Sequence, residues 1–201
     1  MGSLYLVTDA AMEPVTLAEA KAQLRVTDDN SNTDITAMIK AARRAVENYI
    51  GQILIQQTWD WSQDDSSDPV TIPLYPLVSA TPYVTDLSDV EAAESSDIYV
   101  VDTAHRPGRV FLKSGSSWTV TRGISGFRVR FAVGWGSTPA DIPQDFKSAI
   151  LAIVAFLFEH RGDDSVNKAF TETDTSDSLV RLVPAAAMFL SGYRTSGRLL
   201  G

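Results

Sequence analysis

The chain has 201 residues, 44% of them hydrophobic and 21% charged, close to the average for soluble globular proteins, which excludes wholesale disorder, collagen and coiled coil. At about 150 residues per domain, this length predicts one domain or a tightly joined pair able to bury about 70% of the unfolded surface. Seventeen Lys and Arg against 25 Asp and Glu give a formal net charge of -8, which argues against tight, general DNA binding through phosphate neutralisation. Without Cys there are no disulfides, thiolate zinc sites or thiol nucleophiles, and folding is compatible with a reducing cytoplasm.

Residues 1–12 carry neither a basic n-region nor an apolar h-region and do not read as a secretory signal. The first element is announced by Pro14-Val15-Thr16-Leu17-Ala18-Glu19, a capping box in which Thr16 accepts from the Glu19 amide and the Glu19 carboxylate reaches back to the Thr16 amide. A short helix over 17–24 follows. After a polar stretch, 27–33, the apolar residues Ile35, Met38, Ile39, Ala42, Val46, Tyr49 and Ile50 recur at helical spacing until Gly51 stops the helix.

From Ile53 to Trp135 the period becomes alternating, as in Phe127 to Val133, and predicts short strands. The punctuation at Asp68-Pro69, Tyr75-Pro76, Arg106-Pro107-Gly108 and Ser114-Gly115 fits turns of an antiparallel sheet or small barrel better than βαβ crossovers. The three aromatics of FRVRFAVGW fall on one face. Helical signals return at Pro143 and Asp145 and end at Arg161-Gly162. Apolar groups surround that helix through Phe146, Ile150, Leu151, Ile153, Val154, Phe156, Leu157 and Phe158, so it reads as a central helix or one face of an oligomer. Its apolar run is far short of the roughly 20 residues of a membrane span. Residues 163–178 hold several acids against the single Lys168 and read as a mobile acidic loop. A short helix and an extended tail complete the chain.

The expected fold class is therefore α+β, a helical core of about four helices with an inserted antiparallel β-rich region. Its parts are 1–52 (helical core, first part), 53–136 (β-rich insertion), 137–162 (central apolar helix), 163–178 (acidic loop) and 179–201 (C-terminal helix and tail).

Candidate chemistry is sparse. The two histidines, His105 and His160, occur in no metal-binding spacing, and read as an exposed turn residue and a helix C-terminal residue favoured by the dipole. The stretch Asp28 to Asp34 matches an EF-hand loop at its first, third and fifth positions, but Thr33 replaces Gly and Ile39 replaces Glu, so it reads as an interhelix loop. Gly123-Ile124-Ser125-Gly126 lacks nucleophile-elbow spacing, and no phosphate-binding Gly motif follows a strand. Asp64 and Asp65 read as part of a solvated turn. Lys40, Arg43 and Arg44 present cations that could touch phosphate, but Glu47, four residues after Arg43, supplies an intrahelical partner and suggests a solvated polar face. Trp59, Trp61, Trp118 and Trp135 read first as sheet core, and alternatively as a carbohydrate- or ligand-recognition platform. No catalytic residue, cofactor or metal is expected.

The order of elements carries more than any motif. PVTLAEAKAQLRV, an Asp-rich gap, then ITAMIKAARRAVENYIGQILIQQTWDW, and later RVRFAVGWGSTPADIPQDFKSAILAIVAFLFEHRG with the final Tyr193-Arg194, resembles the phage head-tail connector family, also called adaptors or head-completion proteins. The matches cover about two thirds of the chain; the acidic loop and much of the β region lie outside them. The resemblance implies a non-enzymatic structural protein of a virion or phage-like particle, assembled in the bacterial cytoplasm. It would form a ring, usually a dodecamer, beneath the portal, with a tail or stopper protein downstream and DNA passing without specific binding. It further implies a portal-docking tail, placed at Tyr193, Arg194, Arg198, Leu199 and Leu200, and a subunit interface placed at Phe156, Phe158, Arg43 and Arg44.

Overall fold

Residues 2–64, 68–119, 123–162 and 177–193 are described in the computed structural model. The chain forms two compact units, one from residues 1–11 and 56–135 and the other from residues 12–55 and 136–201.

The first unit is built from strands β1 (Ser3–Thr8), β2 (Gln57–Gln63), β3 (Val70–Thr71), β4 (Leu77–Thr85), β5 (Glu91–Ala93), β6 (Tyr99–Asp102), β7 (Arg109–Leu112) and β8 (Phe127–Val133). Five of them form one sheet in the order β1-β2-β8-β4-β5, and β3-β7-β6 form a second. Every ladder is antiparallel, as the Pro- and Gly-punctuated short runs require. In β8 the alternation decides the faces: Phe127, Val129, Phe131 and Val133 are each no more than 1% exposed, while the arginines between them face the other way. Across the sheet, Leu6, Trp59, Phe131 and Ala80 share one row and Leu4, Trp61, Val129 and Pro82 the next, so the tryptophans of β2 lie on the apolar face.

Residues 1–12 were expected within the first helical part, yet 3–8 form β1. The strand lies at a sheet edge, and Tyr5, Leu6 and Val7 are all exposed. With apolar side chains on both faces and no turn signal to bound it, the segment shows neither the alternation nor the punctuation by which a half-buried strand is recognised.

The second unit contains α1 (Leu17–Leu24), α2 (Asn32–Ile50), a 3₁₀ turn (Pro139–Asp141), α3 (Gln144–Glu159), α4 (Asp177–Leu182) and α5 (Pro184–Leu190). The capping box of α1 is formed: the Glu19 amide donates to Thr16 Oγ1 at 3.2 Å and the Thr16 amide to Glu19 Oε2 at 2.7 Å. Gly51 ends α2 in the left-handed region at φ 69°. The buried stripe of α2, including Ile35, Ile39, Ala42, Val46 and Ile50, packs on α3, whose buried residues are Phe146, Ala149, Ile150, Ile153 and Val154. A second stripe on α3 is covered by α5. Pro184, which has no N–H to extend the preceding helix, separates α4 from α5, so the C-terminal helix expected from the sequence is two short ones. The chain leaves this unit at Ile55 and re-enters at Gly136, and those two residues form a parallel bridge.

Phe131 sits at the centre of the five-stranded sheet with 1% exposure. Phe131→Ala is expected to cost about 3–5 kcal/mol, read as a lower denaturation midpoint for the β signal; a loss below about 1 kcal/mol would contradict its place in the core.

Candidate assembly surfaces and internal anchors

On α2 the cations take different roles. Lys40 and Arg44 are exposed, whereas Arg43, expected on a solvated face and at a subunit interface, is 1% exposed and lies inside its own unit. Its Nε donates to Glu13 Oε2 at 2.7 Å and its Nη1 to Glu47 Oε2 at 3.0 Å. The i,i+4 pairing read from the sequence is present, but the side of the helix is different: Ala42, Ala45 and Val46 are buried beside it, and Glu13 closes over the guanidinium from before α1. Glu47 Oε1 also accepts the Leu54 amide at 2.9 Å. A buried guanidinium needs this saturation, because an unpaired charge in that setting costs several kcal/mol.

Burial pushes the Glu47 carboxyl up to about 7, against the pull of Arg43 and the Leu54 N–H. A groove of about 470 Å³ beside the start of α2 is lined by Glu13, Asn32, Thr33, Thr36, Ala37 and Lys40. The Glu13 carboxylate at its wall is already held by Arg43.

The outer side of α3 is the clearest contact surface. Leu151, Phe156, Leu157 and Phe158 are only half-buried. Phe156 stacks on His160 with centroids 4.2 Å apart, and Arg161 lies 3.8 Å from the centroid of Phe158. The His160 ring nitrogen Nδ1 is 2.8 Å from the Phe156 carbonyl oxygen, consistent with the helix-end role expected for it. The all-round apolar character of α3 thus divides into a covered stripe and a flank of aromatic groups with water on one side.

Tyr193 is the one member of the expected docking tail within the described residues; Arg194, Arg198, Leu199 and Leu200 lie outside them, as does nearly all of the acidic stretch 163–178. Tyr193 is fastened from several directions. Its carbonyl accepts from Gln52 Nε2 at 3.0 Å, its hydroxyl donates to Asp145 Oδ2 at 3.1 Å, and its ring lies 4.6 Å from that of Phe146. The bond to Asp145 raises the phenol above its ordinary value. Gln52, itself 2% exposed, was missed from sequence; the available signal was a polar residue wedged between Gly51 and the apolar run Ile53-Leu54-Ile55.

In the β unit, the polar face of the sheet carries an ionic ladder. Asp60 receives Arg128 Nη1 at 2.7 Å and Arg130 Nε at 2.9 Å, and Arg128 Nε reaches Glu91 at 2.8 Å. The Arg128 guanidinium lies 4.4 Å from the centre of the Tyr83 ring. Burial would raise Asp60, but the bonds and charges of Arg130 and Arg128 outweigh it and hold the carboxyl below its usual range. The four tryptophans are all partly covered. Trp59 and Trp61 donate their indole N–H groups to Gln57 at 3.1 Å and Gln63 at 3.2 Å, and Trp118 packs edge-on against Phe127 at 5.1 Å. This is core chemistry, and it gives no support to the carbohydrate- or ligand-recognition alternative. Among the described residues there is no cluster of three or more His, Cys, Asp or Glu that would hold a metal ion.

What these surfaces offer is contact: a half-covered aromatic flank, internal ion pairs that fix helix positions, and a fastened C-terminal helix end. Residues 14–79 match the family model described as phage gp6-like head-tail connector protein. Nearly the whole chain shares its fold with solved structures. It aligns with a chain of the virion of the native gene transfer agent (GTA) particle with TM-score 0.70, 18% identity and 98% of each chain covered. It aligns with one from the neck of the empty GTA particle, computed with C6 symmetry, with TM-score 0.69, 19% identity, and 99% and 98% coverage. For the neck of the native particle, computed with C12 symmetry, the TM-score is 0.65 at 19% identity, covering 99% of this chain and 98% of that one. No curated protein matches the chain in sequence.

The raised Glu47 carboxyl has a definite consequence for stability. Its folded value of about 7 exceeds the ordinary glutamate value, so the folded state binds the proton more tightly than the unfolded one. The stability this contributes is complete below about pH 4.5 and is lost as pH rises through about 7. Glu47→Gln is expected to flatten the decline in unfolding free energy between about pH 5 and 8, measured by denaturant titration across that range; an unchanged slope would refute the assignment.

Proposed function

We propose that this chain is a head-tail connector that assembles as a ring in the neck of a phage or phage-like particle, between the portal and a downstream tail or stopper protein, with DNA passing through it. The observation that carries this reading is the likeness of nearly the whole chain to neck chains of the GTA particle, one of them from a neck computed with C12 symmetry; twelve copies is the stoichiometry we assign. The half-covered flank of α3 supplies the apolar area that a neighbouring copy would bury, with Phe156 and Phe158 at its centre and exposed Arg44 as a peripheral contact. Arg43 acts from inside the subunit by holding α2 in place. A formal net charge of -8 suits a passage that lets a polyphosphate slide instead of retaining it. The role is structural, without catalysis, and particle assembly takes place in the bacterial cytoplasm.

The tail beyond Tyr193 is assigned to portal docking. Arg194 and Arg198 supply positive charge and Leu199 and Leu200 apolar anchors, for docking that adds to a sheet edge of the portal through backbone hydrogen bonds.

Two experiments test these assignments. Phe156→Asp is expected to give a subunit that melts normally but remains monomeric by native mass measurement, and undiminished assembly would count against the α3 interface. Deleting Thr195 to Gly201 is expected to abolish binding to the cognate portal without changing the melting temperature; retained binding eliminates the docking role of the tail.

A further inference from the structure

Helix α5 reads Pro-Ala-Ala-Ala-Met-Phe-Leu and contains no polar side chain. A helix that is apolar all round is ordinarily buried on every side, yet α5 buries one side only. Ala186 and Leu190 are buried, and the helix packs on α3. On the other side Ala185, Met188 and Phe189 are exposed, Met188 by 69%, and Leu182 at the end of α4 is exposed as well. Leu182, Met188 and Phe189 are three of the four large apolar side chains that the helical unit exposes among its described residues, Met12 being the fourth. The exposed apolar surface of this unit is thus concentrated on α4 and α5.

We propose that the outer face of α4 and α5 is the second half of the subunit contact: it receives the α3 flank of the next copy in the ring. The inference rests on the ring reading and on the α3 flank as one half of its contact. A closed ring is built from a heterologous contact, in which one surface of a copy meets a different surface of its neighbour. The flank with Phe156 and Phe158 therefore needs a partner surface elsewhere on the same chain. The α5 face matches it in chemistry. Ala185, Met188 and Phe189 set no charge against the aromatic rings, and an unbranched Met thioether adapts to irregular apolar surface and packs favourably on aromatic groups. Two α5 faces meeting each other would close a two-fold dimer and leave the α3 flank wet. Both halves lie within the helical unit, so every copy presents them in the same relation, as a repeating contact requires.

The test uses the full chain. Met188→Asp buries an unpaired charge in the contact and is expected to weaken subunit association about tenfold or more by native mass measurement, with an unchanged melting temperature. Met188→Leu, which conserves volume, is expected to assemble like the unsubstituted chain. Undiminished assembly of Met188→Asp overturns the pairing. A second measurement leaves the apolar contacts intact and decides the matter if Met188→Asp fails to fold. The chain has no Cys of its own, so His160→Cys, whose site stacks on Phe156, and Ala185→Cys, one turn before Met188, are assembled together as two single variants and treated with a short bismaleimide. The pairing predicts covalent dimers that join one variant to the other, and none from either variant alone. Their absence from the mixture, or dimers of Ala185→Cys alone, overturns it. An unsubstituted chain that stays monomeric sinks the ring reading and the pairing with it, whereas one that assembles without these cross-links keeps the ring and loses the pairing.

Discussion

The helical unit depends on one buried carboxylate. Glu47 takes the Arg43 guanidinium with one oxygen and the Leu54 amide with the other, while Arg43 turns its remaining edge to Glu13. Three segments, the lead-in to α1, α2 itself and the exit toward the β unit, are therefore fixed against each other at hydrogen-bond distance. An apolar replacement of similar volume fills such a space at no greater cost, because desolvation offsets most of the Coulomb gain. What hydrophobic packing supplies less well is direction. A carboxylate that must satisfy a guanidinium and an amide at once allows one placement of the chain after Gly51, and that is where the polypeptide leaves one unit for the other.

The sequence is legible where one local rule decides the outcome. Thr16 and Glu19 three residues apart, Gly51 at the end of an apolar stripe, and the strict alternation of Phe127 to Val133 are each produced by short-range chemistry, and each recurs in the structure with the bounds read for it. Legibility fails where tertiary partners decide. Nothing near Arg43 reveals that Glu13, thirty residues earlier, draws it inside, so an i,i+4 pair that ordinarily lies in water is buried. β1 is stabilised on one side only, by β2, and its composition is that of an edge with both faces apolar. Tyr193 looks like the first residue of a tail until Gln52 and Asp145, remote in sequence, show it packed into the helical unit.

The same partition explains the character of the surface. Several cations are consumed internally: Arg43 by Glu13 and Glu47, Arg109 by Asp102, Arg128 by Asp60 and Glu91, and Arg130 by Asp60 again. The Arg109–Asp102 pair and the cluster of Arg128 and Arg130 with Asp60 and Glu91 are each neutral as units and contribute little to the field beyond a Debye length of about 8 Å at physiological salt. With 17 basic residues against 25 acidic ones, committing arginines to internal pairs leaves fewer of them for phosphate, and the long-range field is set by the acidic excess. The pairs of Arg43 fix α2 within the helical unit, and those of Arg109, Arg128 and Arg130 link strands of the β unit. A polyanion passing such a surface meets an acidic excess and guanidinium groups already held by carboxylates of the same chain.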